Sequence, residues 1–176
     1  AAVGGNLVCI ASGGAALNPK LERIFLCANI VCLQGYGLTE TCVVVSVNRY
    51  GEDNIRIGTC GPVISGVDVK IAEEDGEILV KGPNLMMGYY KNPEATAEVM
   101  DSEGWFHTGD VGTFIEGRFL KITDRKKEIF KTSSGKYIAP LMIENKIKEC
   151  RFVEQSMVVG ENQKFASAII VPSFVN

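Results

Sequence analysis

The hydrophobic period of this chain changes near Gly51, and that change limits the folds open to it. Before it, apolar runs and a helical stripe alternate as strand, helix, strand. Asn6 to Ala11 is a short apolar run that ends in Ser12-Gly13-Gly14, a turn signal. Asn18 can cap a helix whose first position is Pro19. Leu21, Ile24, Phe25 and Ala28 then fall at i, i+3, i+4 and i+7, which predicts one buried helical stripe. Ile30 to Leu33 predicts a second buried strand, running into Gly35-Tyr36-Gly37. Strands with glycine-rich exits around a helix predict a parallel α/β unit, and in such units ligands collect at the carboxyl ends of the strands.

Beyond Gly51 the spacing is two. Val67, Val69 and Ile71 alternate with Asp68 and Lys70, and Ile78 and Val80 alternate with Glu77 and Lys81, across an Asp75-Gly76 turn. Asn92-Pro93 starts a short helix through Met100, and Glu116-Gly117 separates a second hairpin, Thr113 to Ile115 and Arg118 to Ile122. A third unit follows. Glu128 to Lys131 and Tyr137-Ile138 bracket Thr132-Ser133-Ser134-Gly135, and Pro140 opens a helix with Ile143, Ile147 and Cys150 on one face. Gln155 to Val159 and Phe165 to Val171 form the last strand pair. The expected fold class is α/β followed by antiparallel β and a small α+β unit. The expected parts are 1–50, a barrel-like β-rich 51–122, a hinge at 123–125, and 126–176. Three units in 176 residues leave each too small for a large core, so the chain reads as a piece of something longer.

Composition excludes some functions. With 18 basic and 21 acidic residues the net charge is −3, so no basic field draws nucleic acid, and nucleic acid is not an expected partner. A compact phosphate site remains open, because a few backbone N–H groups and one Arg can hold a nucleotide. The cysteines at 9, 27, 32, 42, 60 and 150 contain no CxxC pair and meet no His cluster, so zinc is not expected. Most have apolar neighbours and read as reduced, small hydrophobes. With no signal segment and no run long enough to span a membrane, the expected location is cytoplasmic.

Four clusters carry chemistry. In Gln34-Gly35-Tyr36-Gly37-Leu38-Thr39-Glu40, two glycines allow close backbone approach, the ring offers a stacking face, and Thr39 and Glu40 offer oxygen to phosphate and a divalent cation. Taken alone it is more often an ordinary strand-to-loop turn with a half-buried Tyr. Gly104 to Asp110 holds the single Trp and single His. A Ser12-His107-Asp110 triad lacks a G-x-S-x-G elbow, whereas Asp110 can accept two sugar hydroxyls at once. Thr123-Asp124-Arg125-Lys126-Lys127-Glu128 is a charge run at a unit edge, and Thr132 to Tyr137 a hairpin tip that matches no P-loop.

In order and spacing these segments resemble the adenylate-forming superfamily, specifically the AMP-forming long-chain fatty acyl-CoA synthetases. Ser12-Gly13-Gly14-Ala15-Ala16 is similar to the family's adenine-edge segment and QGYGLTET (34–41) to its signature. GYYKNPEAT (88–96), GWFHTGD (104–110) and ITDRKKEIFKTSSGKYIAP (122–140) follow in the family's order. The resemblance covers essentially the whole chain and implies a partial acyl-CoA synthetase-like fold. It implies that Tyr36 stacks on adenine, with Gly14, Ala15, Gly35 and Gly37 along the nucleotide. Thr39 would bind phosphate, Glu40 would hold Mg²⁺, Asp110 would take the ribose hydroxyls, and Arg125 would reach ribose or phosphate. Thr39, Glu40 and Arg125 would form the catalytic set. Asp124, read as a small exposed polar residue, would be the hinge, and Gly135 would lie on the loop near the coenzyme A channel.

The implied activity is an ATP-dependent long-chain fatty acid–CoA ligase. Its partners would be ATP, AMP, fatty acid and coenzyme A, with peripheral membrane contact in a full-length protein. The family's upstream ATP loop, the sequence that builds its fatty-acid tunnel and its downstream lysine lie outside this chain, which implies a part that is not active alone. Ser134 stands where relatives usually have Gly, and Ala16 where many have Pro. A ligase for another carboxylic acid, or a non-catalytic nucleotide-binding module, are the alternatives.

Overall fold

A computed structural model describes residues 4–174 of the chain. Strand β1 (Cys9–Ser12) pairs in parallel with β2 (Val31–Tyr36) across helix α1 (Pro19–Cys27), in register Cys9↔Val31 to Ser12↔Gln34. β3 (Ser46–Val47) adds antiparallel to the end of β2, at Gly35↔Val47 and Tyr36↔Ser46. This crossover starts as the sequence indicates. The Asn18 side chain accepts from Lys20 N at 2.8 Å with Pro19 at the first turn, and the helix stops at Ala28 before Asn29 turns left-handed (φ 58°).

The face α1 turns inward differs from the expected one. Glu22 is 2% exposed, while Leu21 and Ile24 of the apolar stripe are 48% and 54% exposed. Glu22 Oε2 accepts from Gln34 Nε2 of β2 at 2.9 Å and from Gly58 N at 2.8 Å, so within this chain the acid and not the apolar stripe faces β2.

The second sheet has four strands in the order β4 (Asp68–Ile71), β5 (Glu77–Lys81), β6 (Phe106–Ile115) and β7 (Phe119–Arg125). β4 and β5 form the antiparallel hairpin expected around Asp75-Gly76, in register Asp68↔Lys81 to Ile71↔Ile78. β5 does not alternate, because it is an interior strand: Glu77, Ile78, Leu79 and Val80 are all buried. Glu116 and Gly117 both take positive φ (53° and 65°) between β6 and β7, the geometry of a tight hairpin turn. Helix α2 (Pro93–Val99) is capped by Asn92, whose side chain accepts from Ala95 N. Val45, Ile78, Val80 and Leu120 are fully buried with Val67 beside them, and Tyr36 packs against this cluster. Burying each such side chain is worth about 1.5–3 kcal/mol.

Two short hairpins follow. β8 (Phe130–Lys131) pairs antiparallel with β9 (Tyr137–Ile138), and β10 (Val153–Val159) with β11 (Ser167–Pro172). Helix α3 (Pro140–Ile147) packs on β10 through Glu144, whose carboxylate accepts from Val158 N at 2.7 Å and whose carbonyl accepts from Ser156 Oγ. Of the expected apolar face Ile147 is half-buried, while Ile143 is 39% exposed and Cys150 is exposed.

The chain separates into two compact units, Ala1–Thr108 with Gly112–Ile122, and Gly109–Val111 with Thr123–Asn176. No helix among the described residues is long and apolar enough to cross a membrane. All six cysteines are free, but Cys27, Cys42 and Cys150 are exposed rather than packed as hydrophobes. Burial pushes the Cys60 thiol up to about 11.

Candidate functional site

The site residues of the first unit cluster at the carboxyl end of β2. Gly13 lies against this strand exit, since a Cβ built on it would stand 3.8 Å from Gly35 O. Gly14 requires glycine for its backbone (φ +80°), in open space, and Ala15 follows it on the same exposed turn. Gln34 ties that turn to the strand by accepting from Leu17 N at 3.2 Å. Burial pushes the Glu22 carboxyl beneath it above the usual carboxylate range, against the pull of its hydrogen bonds to Gly58 N and Gln34.

Gly35 and Gly37 differ in kind. A Cβ on Gly35 would make ordinary contacts at 3.5 Å with Ser46 O and Val47. On Gly37 it would lie 1.8 Å from Val43 O, so glycine is demanded there by the chain's own return. That return is a single 3-10 turn, Thr39–Thr41, closed by Thr41 Oγ1, which accepts from Leu38 N at 2.9 Å and donates to Leu38 O at 3.0 Å. Cys42 and Val43 then take φ of 47° and 81°. A β-branched residue in that region is strained and is held only by surroundings that over-determine it.

What over-determines it is a segment more than forty residues away. Asn84 Nδ2 donates to Thr41 O and Val44 O, both at 3.1 Å, and Met86 N donates to Glu40 O at 2.8 Å. The Tyr89 hydroxyl donates to Glu40 Oε1 at 3.0 Å. Desolvation, then the Glu40 hydrogen bond and charge, push the Tyr89 phenol above its ordinary value. Thr39 is exposed and Glu40 half-buried, so this turn presents a hydroxyl and a carboxylate outward. Residue type alone did not mark Asn84, and the second Tyr of the GYYK run was indistinguishable from the first.

His107 is held by acids. Its Nδ1 stands 3.1 Å from Glu77 Oε2 and its Nε2 3.9 Å from Asp101 Oδ2, so both ring nitrogens meet acids rather than the hydroxyl a triad needs. In the second unit, Gly109 takes φ +72° inside β6, and Lys126 N donates to its carbonyl at 2.9 Å. Asp110, 6% exposed, meets Arg125 Nε at 3.1 Å. The expected charge run therefore contributes a partner to the expected sugar-binding acid.

Asp124 contradicts its expected exposure. It is 1% exposed, its Oδ1 accepts from Arg125 N at 2.7 Å, and its Oδ2 is buried. Burial is the largest cause of a raised carboxyl pKa there; the N–H groups of Arg125 and Leu141 oppose it, and Glu128 and Glu144 add to it. Gly135 (φ +85°) sits at the tip of the β8–β9 hairpin, where Thr132 Oγ1 and Ser134 Oγ stand 2.9 Å apart and Thr132 Oγ1 accepts from Lys136 N. Among the described residues no group of three or more His, Cys, Asp or Glu gathers as a metal cage.

The family model for AMP-binding enzymes matches residues 2–90, just over half of the chain. The chain belongs to the AMP-binding enzyme family. The model for that family's C-terminal domain matches residues 127–175. Among curated relatives, a long-chain-fatty-acid–CoA ligase of Mycobacterium bovis is 40% identical over 170 residues, 97% of this chain and 28% of the relative. The peroxisomal long chain acyl-CoA synthetase 7 of Arabidopsis thaliana is 39% identical over 181 residues, 96% of this chain and 25% of the relative. The chain thus spans about a quarter of the length of these AMP-binding relatives. Among solved structures, the o-succinylbenzoate CoA synthetase of Bacillus subtilis, in complex with its acyl-adenylate intermediate, superposes with a TM-score of 0.84 at 26% identity, over 96% of this chain and 37% of that one.

Proposed function

We propose that this chain is the nucleotide-handling part of an ATP-dependent long-chain fatty acid–CoA ligase. The observation that carries the reading is the strained signature turn, where Gly37, Thr39 and Glu40 are presented from the end of β2. Two long-chain relatives at about 40% identity support the choice of acid. In this reading Tyr36 stacks on adenine and the Gly14-Ala15 turn and Gly35 run along its edge. Asp110 accepts the ribose hydroxyls, with Arg125 beside it reaching ribose or phosphate.

The chemistry is carboxylate activation. A fatty acid carboxylate attacks the α-phosphorus of ATP and pyrophosphate leaves; the thiol of coenzyme A then attacks the acyl carbon, and AMP leaves. Thr39 and Arg125 donate hydrogen bonds to phosphate oxygens as charge builds on them. The Glu40 carboxylate fits the oxygen preference of Mg²⁺ and would hold it, and the bound ion would neutralise phosphate charge. Asp124 at 123–125 is the hinge that exchanges the lid between the two steps, and the Gly135 tip approaches the coenzyme A channel after that exchange. We assign the activity to the cytoplasm; since one relative is named as peroxisomal, organelle fractionation decides the compartment.

The test is pyrophosphate release by the full-length protein carrying this chain, with palmitate, o-succinylbenzoate or no acid, followed by thioester formation with coenzyme A. Palmitate-dependent release and thioester formation are expected. Release with the aromatic acid alone would transfer the reading to another carboxylate, as the Bacillus structure suggests. Nucleotide binding without release would leave only a binding module.

A further inference from the structure

We propose that Tyr89 is a positioning residue for the divalent cation: its hydroxyl holds one oxygen of Glu40 so that the other faces the metal. The inference rests on the role given to Glu40 above and adds a residue to it. Tyr89 Oη donates to Glu40 Oε1 at 3.0 Å, which leaves the second carboxylate oxygen unshared by that contact. A glutamate on a half-buried turn otherwise samples several rotamers, each an entropic loss on binding.

Both ends of the contact are built into the fold. On the Tyr89 side, Thr96 Oγ1 of α2 accepts from Tyr89 N at 2.9 Å and donates to Asn92 O at 3.0 Å. Gly88 just before it takes φ +143° and approaches Thr96 so closely that an added Cβ would lie 3.0 Å from Thr96 Cγ2. On the Glu40 side, Met86 N holds the Glu40 carbonyl and Asn84 holds the carbonyls of Thr41 and Val44. The segment 84–89 is therefore a brace for the turn, and the tyrosine hydroxyl is the one contact in it that reaches the functional carboxylate itself. Tyr90, beside it, is 88% exposed with Lys91 against its ring and reaches no such partner, so the two tyrosines have different work. Partners that orient a metal-binding side chain commonly change metal affinity by 10–100-fold, and a half-buried carboxylate belongs at the low end.

The measurement is calorimetric binding of α,β-methylene-ATP to the full-length protein carrying this chain, with Mn²⁺ and with EDTA. The ratio of the two dissociation constants gives the metal's contribution. Tyr89→Phe is expected to cut that ratio about tenfold and to leave the metal-free affinity within about twofold of wild type. Glu40→Gln is expected to abolish the ratio. Thr96→Val, which leaves the hydroxyl in place but frees the Tyr89 backbone, is expected to lower the ratio by a smaller factor and supplies the answer if Tyr89→Phe does not fold. An unchanged ratio in Tyr89→Phe, with the ratio lost in Glu40→Gln, overturns the proposal and leaves the function of Glu40 standing. Equal losses with and without metal overturn it as well, because the hydroxyl would then be merely structural. A ratio retained in Glu40→Gln removes both.

Discussion

Gly37→Ala tests the claim that the signature turn is shaped by the chain's own packing. The added Cβ would lie 1.8 Å from Val43 O, 2.5 Å from Val43 C and 2.9 Å from Val44 Cα. A relaxed C···O contact is about 3.3 Å, so residues 42–44 must retreat by about 1.5 Å. They are poorly placed to do so. Val43 N is bonded to Leu38 O, Val45 N to Tyr36 O, and Asn84 grips Thr41 O and Val44 O. Overpacking costs about 1–3 kcal/mol and each broken hydrogen bond about 1 kcal/mol, so a loss of about 3 kcal/mol or more is expected. For a chain of this length that lowers the melting temperature by about 6–12 °C. Gly35→Ala, whose Cβ first touches neighbours at 3.5 Å, should fall between neutral and about 1 kcal/mol stabilising. The assay is urea unfolding followed by the fluorescence of Trp105, the single tryptophan, which lies in the same unit. Equal destabilisation by the two variants would refute the packing argument.

Asp110→Ala should raise the ATP requirement of the full-length protein at least tenfold, and His107→Ala, which releases only Glu77 and Asp101, should raise it about twofold or less; equal effects in a steady-state titration would reverse the assignment. Glu22 has a raised carboxyl pKa, so between its usual 4.5 and that raised value the folded chain binds more protons than the unfolded one, and stability falls as pH rises through the window. Melting curves taken downward in pH through that window should show a rising melting temperature, and Glu22→Gln should flatten the slope while leaving the part that Asp124 contributes with the same sign. Asp124→Pro fixes φ as well as removing the carboxylate, whereas Asp124→Ala only removes it. Rapid-quench rates of the two half-reactions should show transfer to coenzyme A slowed most by the proline variant and less by the alanine variant, with adenylation spared in both; slowing of both steps would take the hinge away from this residue.

Local grammar was legible in the sequence. Asn18-Pro19 and Asn92-Pro93 begin helices, and Asp75-Gly76 and Glu116-Gly117 turn hairpins, because caps and left-handed turns are decided by a few adjacent residues. The glycines of the signature were visible too, although at Gly37 the chain's own return past Val43 already demands glycine. What was illegible depends on partners remote in the chain. The stripe on α1 had the right period, yet Gln34 and Gly58 draw Glu22 inward, and a buried acid cannot be told from an exposed one by spacing. Asn84 and Tyr89 brace a turn more than forty residues away, and nothing in their own neighbourhood marks them. Asp124 is the sharpest case. A charge run reads as solvated, and Arg125, Lys126 and Lys127 are indeed exposed, but strand alternation turns the one residue before them inward. Its carboxylate there caps its neighbour's N–H and lies within reach of the Leu141 N–H at the start of α3. A hinge at this position would therefore work by exchanging buried hydrogen bonds, rather than by the freedom of an exposed linker. That is why substitution of its carboxylate and restriction of its φ have to be tested apart.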